Sequence, residues 1–239
     1  MAMGVPVRFW DTLHGPGGDL TRRKVLRGLC SDIAAGRVLA VMLAPPCGPW
    51  TTAADRVGAI RSASQPWGLP RHLLSEKQLA RLASGNKTMR AALAIIRCCE
   101  KFGVPCILEH PVNSRVFFTR EVRGVIDRGA VVRCLDQCQE GARWRKRTRF
   151  LCLNIDILDS SCLDRRCCQI NGICSRSGRQ HIVLEGNAPN GAKWTAIAAA
   201  YPPALNRKLA KVLLSEWRAS LYNRPSPPPQ YTFLGNGLG

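Results

Sequence analysis

The chain has 239 residues, 46% of them hydrophobic, and a formal net charge of +19 from 35 basic and 16 acidic residues. That length suits one substantial core with a small appendage, and that charge exceeds what solubility needs, so a polyanionic partner is expected, nucleic acid before a membrane surface. No apolar run reaches the ~20 residues that span a bilayer and no secretory hydrophobic region opens the chain, so the expectation is no membrane, an intracellular setting (nucleus if eukaryotic, cytoplasm otherwise) and reduced thiols at the twelve cysteines.

Residues 5 to 11 read as a strand, followed by a glycine-rich loop from His14 to Asp19. A helix is expected from about Arg22 to Ala35, and the run Val38 to Leu43 has the length and apolarity of a buried strand. That strand stops at Pro45 and Pro46, which cannot donate to a ladder. Cys47 therefore sits in a turn at a strand's C-terminal end, where open α/β sheets bind ligands, and it is a candidate nucleophile. The plainer reading is a small buried thiol in a proline-rich turn.

Residues 53 to 87 are polar and interrupted by Gly58, Pro66, Gly68 and Pro70, as a long functional loop would be. Arg56, Arg61, Arg71 and Lys77 there suit phosphate contacts or a plain solvated face. Thr88 to Phe102 has a helical apolar pattern ended by Gly103 and Pro105. Ile107 to Glu109 is a second short strand, ending in an acid ahead of Pro111. Residues 130 to 153 read as strand, loop, strand, an antiparallel hairpin in which Arg147 and Arg149 share one face.

Cys162, Cys167, Cys168, Cys174 and His181 gather around two glycine turns. Cys162, Cys167, Cys174 and His181 fit a tetrahedral zinc site with Cys168 as an alternative ligand; free thiols or a disulfide are the other readings. Cys30, Cys98, Cys99, Cys106 and Cys152 lie in apolar surroundings and are expected to fill the core. Trp194 to Pro203 and Leu205 to Trp217 form a terminal helical region. The expected division is an α/β core over 1–158, a Cys/His module over 159–192, helices over 193–222 and a disordered Pro/Gly tail over 223–239.

Pro46-Cys47, then Glu109-His110-Pro111, then Arg145-Lys146-Arg147-Thr148-Arg149, each at a strand edge and in this order, resembles the motif series of the DNA cytosine-5 methyltransferases. The stretch from Asp136 to Gly141 ahead of the arginines is similar to short methyltransferase-like proteins of phages and mobile elements. The likeness spans roughly residues 9 to 150, and its specificity lies in the order of the motifs. It implies a Rossmann-like methyltransferase sheet, S-adenosyl-L-methionine as methyl donor, and double-stranded DNA with the target base flipped out. Cys47 would attack cytosine C6, Glu109 would act as acid toward N3, and Arg147 or Arg149 would hold the ring carbonyl. His110 stands where the family has asparagine, and Arg145 where it usually has glutamine.

The cofactor contacts the resemblance assigns are Trp10, Asp11, Gly15, Gly17, Asp19 and Pro46. Two assignments compete: a glycine loop through Gly15 and Gly17, or a later motif in which Trp10 lies beside the adenine and a carboxylate accepts from its amine. Only one helix and one strand fit between Gly18 and Cys47, where the family has several of each, which favours the later motif. The central strand and glycine loop would then lie upstream of Met1, or the fold has been shortened. The rival reading is a basic, zinc-stapled nucleic-acid-binding protein that keeps the sheet and has lost the cofactor.

Overall fold

The structure, a computed structural model, describes residues 6–215. The tail expected from 223 and the end of the helical region at Trp217 lie outside the described residues. Regular elements follow as α1 (Arg23–Ala34), β1 (Val41–Leu43), α2 (Glu76–Phe102), β2 (Cys106–Pro111), α3 (Arg120–Asp127), β3 (Val131–Asp136), β4 (Arg147–Leu153), α4 (Ile157–Ser160), α5 (Trp194–Ile197) and α6 (Pro203–Leu213).

The four strands form one mixed sheet in the order β1-β2-β4-β3. β1 and β2 are parallel, with Leu43 beside Leu108, and β4 runs antiparallel to both β2 and β3. A parallel pair needs a crossover, and α2 is its helical part. The short connection from β3 to β4 makes the expected hairpin. The protein is therefore α/β, with one parallel pair and an antiparallel hairpin.

Strand alternation sorts the core into two layers. Leu43, Cys106, Leu108, Leu151 and Leu153 face α1, α2 and α3, packing on Ile33, Met89, Ile95, Ile96, Val122 and Val125. Ile107, Leu135, Phe150 and Cys152 face the other way, against Leu163 and Leu205, Leu209, Val212 and Leu213 of α6. Of the cysteines expected in the core, Cys99, Cys106 and Cys152 are buried, and Cys30 and Cys98 are half-buried.

Two expectations need correction. Residues 6–11 form no strand: Val7 and Phe9 are exposed, and Asp11 instead caps a short 3-10 turn. The helix expected from Thr88 begins at Glu76, because Ser75 and Gln78 form a capping box that launches it from within the polar stretch. Its C-terminus is as expected, with Gly103 in the left-handed conformation at φ 66°. Among the described residues no helix is long and apolar enough to cross a membrane.

Candidate active site and metal centre

β1 ends at Leu43, and Cys47 caps the 3-10 turn Gly48–Trp50, its carbonyl accepting from the Trp50 N–H at 2.9 Å. That turn is clamped onto α2. Trp50 is fully buried and donates its Nε1–H to the Gly85 carbonyl, and a Cβ added at Gly85 would come within 2.6 Å of Pro49. Arg61 stacks 3.7 Å from the Trp50 ring centroid and donates to the carbonyls of Pro49 and Pro66 and to Asn86 Oδ1, each at 2.8 Å. Arg61 is buried, so it holds the Cys47 loop and faces no phosphate. Arg56, also expected at phosphates, pairs with Glu185 at 2.7 Å.

Glu109 lies near the C-terminal end of β2, on the sheet face that packs against α6, opposite Phe150. It is buried, and its Oε1 has no hydrogen-bond partner. Burial raises its pKa, against the Lys146 charge and the Tyr201 hydroxyl, which lower it. At Cys47 burial is again the largest influence and raises the thiol, the Glu109 charge raises it further, and Lys146 pulls it down. Tyr201 is raised by burial and then by the Glu109 charge. Cys47, Glu109, Lys146 and Tyr201 thus feel one another as one charge cluster. Lys146 is aimed by its Nζ donating to the Ala198 carbonyl at 3.1 Å, with the Tyr201 ring centroid 5.8 Å away.

The arginines expected beside Glu109 are elsewhere. Arg149 pairs in register with His110 and Arg147 with Asp136, and these residues share the opposite face with Leu151 and Leu153. Arg149 lies 4.7 Å over Phe117 with its Nε buried and unpartnered, and Arg147 approaches Asp136 at 3.6 Å. The parity of β4 therefore brings Lys146, one residue before the strand, to the Glu109 side. His110 is fully buried with neither ring nitrogen partnered, and burial lowers its pKa to about 3.

The residues assigned to the cofactor are occupied with local work. Asp11 Oδ1 accepts from the Leu13 N–H at 2.9 Å, and Asp19 Oδ1 from the Thr21 N–H at 2.9 Å and hydroxyl at 2.6 Å. Gly15 takes φ 84° to link two 3-10 turns, and Pro46 is exposed in the Cys47 loop. Trp10 and Gly17 line a cavity of about 450 Å³ with Arg8, Arg22 and Lys24. The one carboxylate there, Asp32, is engaged by Arg37 and Arg8. S-adenosylmethionine carries a sulfonium cation and hydroxyls that call for free carboxylates, so these residues do not fit it in the expected way. A larger cavity of about 900 Å³ between α1 and α2 contains none of the candidate catalytic residues.

Cys138, Cys167, Cys174 and His181 bring their ligand atoms within 4.8 Å of one another and could hold a metal ion. Cys167 Sγ lies 4.0 Å from Cys174 Sγ and 3.8 Å from His181 Nε2, close to the ~3.8 Å edge of a tetrahedron with ~2.3 Å metal–sulfur bonds. Each sulfur has donors suited to a thiolate. Gln139 Nε2 approaches Cys138 at 3.7 Å, and the Ser175 N–H and hydroxyl approach Cys167 at 3.4 and 3.5 Å. Burial raises Cys174, but hydrogen bonds from the Ser177 and Arg176 backbones, the Ser177 hydroxyl and His181 together outweigh it and bring the thiol to about 6. Donors to ligand sulfur are the usual second layer of such a centre.

Three of the four expected ligands are present, and one is corrected. Cys162 is not in the cluster: it packs against the α6 layer, with its Sγ turned to the Asp159 carbonyl. Cys138, in the turn between β3 and β4, takes that place. Cys168 is exposed and outside the group. The only signal for Cys138 was its place in the loop of a hairpin, which says nothing of a partner almost thirty positions away. Comparison with known protein families, characterised proteins and solved structures returns no match for this chain.

Proposed function

We propose that this chain is a DNA-directed protein similar to the cytosine-5 methyltransferases, in which Cys47 attacks C6 of a flipped-out cytosine and Glu109 acts as the acid at N3. The observation that carries this reading is the placing of Cys47, in the turn after β1, and of buried Glu109, near the end of β2, at the C-terminal edge of one parallel pair, close enough for each to feel the Lys146 charge. An antiparallel hairpin closing a parallel pair also suits the sheet that the resemblance implies.

The chemistry follows from how charge is shared. Burial raises Glu109, which favours its acid form, and is also the largest influence raising Cys47; a neutral Glu109 removes the smaller, charge contribution to the thiol and leaves Lys146 lowering it. One negative charge, placed on sulfur and compensated by Lys146, is the arrangement that makes a nucleophile. As the S–C6 bond forms, the C5–C6 π pair moves through the ring toward N3, and the Glu109 proton passes to N3. Lys146 replaces the expected arginines as the cation near the base. S-adenosylmethionine would supply the methyl group in the resembled reaction, but residues 9 to 19 do not fit it, so the step assigned to this chain is the thiol addition.

A second reading rests on that same misfit: a nucleic-acid-binding protein that keeps the sheet and has no cofactor. In both readings the ion at Cys138, Cys167, Cys174 and His181 is zinc, since three thiolates and an imidazole at tetrahedral spacing are a closed structural zinc set. DNA in which pyrimidin-2-one replaces one cytosine separates the two, because that ring accepts a thiolate at C6 without methyl transfer. An adduct formed by the wild type and not by Cys47→Ser supports the enzyme reading. No adduct from either, with equal DNA binding, supports the second.

A further inference from the structure

The metal cluster organises a surface of arginines. Arg143, Arg165, Arg166, Arg176 and Arg179 are all exposed around it. Three of them, Arg143, Arg176 and Arg179, have no acidic partner within 4.0 Å among the described residues. Their backbones are tied to the ligand loop. The Arg179 carbonyl accepts from the Cys174 N–H at 2.9 Å, the Arg143 carbonyl from the Ile182 N–H at 2.9 Å, and the His181 N–H donates to Gly172 at 3.0 Å. A bound ion would therefore fix the backbone from which Arg143 and Arg179 project.

Two links join that module to the segments carrying Cys47 and Glu109. Arg143 lies in the loop that ends at Lys146, so one short segment between Cys138 and Lys146 joins a metal ligand to the cation beside Glu109. On the other side, Arg56, in the 3-10 turn just after the Cys47 loop, pairs with Glu185 just beyond His181.

We propose that the arginine face of this metal-held knuckle grips the phosphodiester backbone of the nucleic acid whose base enters the Cys47 and Glu109 site. This rests on the reading of that site as one that takes a base. The chemistry favours it: free guanidinium groups match phosphate oxygens in paired hydrogen bonds, and a flipped base needs its flanking phosphates held in place.

The test uses the full chain with its metal content checked. Arg143→Gln, Arg176→Gln and Arg179→Gln are combined, and the control combines Arg23→Gln, Lys24→Gln and Arg27→Gln on exposed positions of α1. Affinity for a duplex oligonucleotide is measured against salt. With metal content unchanged, the knuckle variant should lose about 3 from the slope of log affinity against log salt and the control little. A knuckle variant that keeps the wild-type slope, or a control that loses as much, overturns the proposal. So does loss of polyglutamate binding with DNA binding intact. If the knuckle variant binds as wild type and still forms the pyrimidinone adduct, the interface falls and the site reading stands. If wild type forms no adduct while the knuckle variant loses its slope, the interface stands and the site reading falls.

Discussion

Glu109 and Arg149 are diagonal neighbours across the β2–β4 ladder, and the pleat sends their side chains to opposite faces of the sheet. The cation whose charge acts on Glu109 is Lys146, which also lowers the Cys47 thiol. Lys146→Met should therefore slow alkylation of Cys47 by iodoacetamide several-fold near neutral pH, and Glu109→Gln should speed it, since it removes a charge that raises the thiol. Arg149→Met should leave that rate close to wild type. Site-resolved mass spectrometry over a pH series reads all three. A larger effect from Arg149 than from Lys146 would sink the assignment.

Protein purified without chelator should carry about one equivalent of zinc, as a closed Cys₃His centre requires. Cys138→Ser should lose it, and Cys162→Ser should keep it, because Cys162 lies outside the cluster. Elemental analysis gives the answer directly. Stripping the ion should also lower the melting temperature, because Cys138 is the link by which the ion ties the 167–181 loop to the β3–β4 hairpin.

Buried, unpartnered His110 has a folded-state pKa of about 3 against an ordinary value of 6.5. Between those values the unfolded chain binds the extra proton and the folded chain does not, so stability is present above the unfolded value and lost as pH falls toward 3. The limiting slope for one such group is about 1.4 kcal/mol per pH unit. His110→Gln should flatten this acid limb, whatever it does to stability at neutral pH. Denaturant melts at several pH values between the folded value of about 3 and the ordinary value of 6.5 test it; an unchanged slope contradicts the assignment.

The early start of α2 depends on its cap. Ser75→Ala removes the hydroxyl that accepts from the Gln78 N–H and should cost about 1 kcal/mol. Gly103→Ala, at φ 66°, should cost a similar amount, about 1 kcal/mol, from left-handed strain. Denaturation midpoints of the two single variants and the double should add, since the helix separates the sites. A neutral Ser75→Ala would mean that the first turns of α2 are held by packing instead.

What the chain determines locally was legible without a fold. Helix α1, strand β2, the β3–β4 hairpin and the turn that lifts Cys47 all follow from periodicity, proline and glycine, which act within a few residues. The capping box at Ser75 was equally local and was hidden only by the polar composition around it. Tertiary structure decided the rest. Alternation tells that Arg147 and Arg149 share a face, but pairing with β2 decides which face that is, and so whether they or Lys146 meet Glu109. Metal ligands need only converge in space, so spacing led to Cys167, Cys174 and His181 but could not reach Cys138, which the hairpin brings in from far upstream. Asp11 and Asp19 looked available to a ligand because composition does not reveal that their own turns consume them. Each of these outcomes depends on distances between residues remote in the chain, which only packing sets.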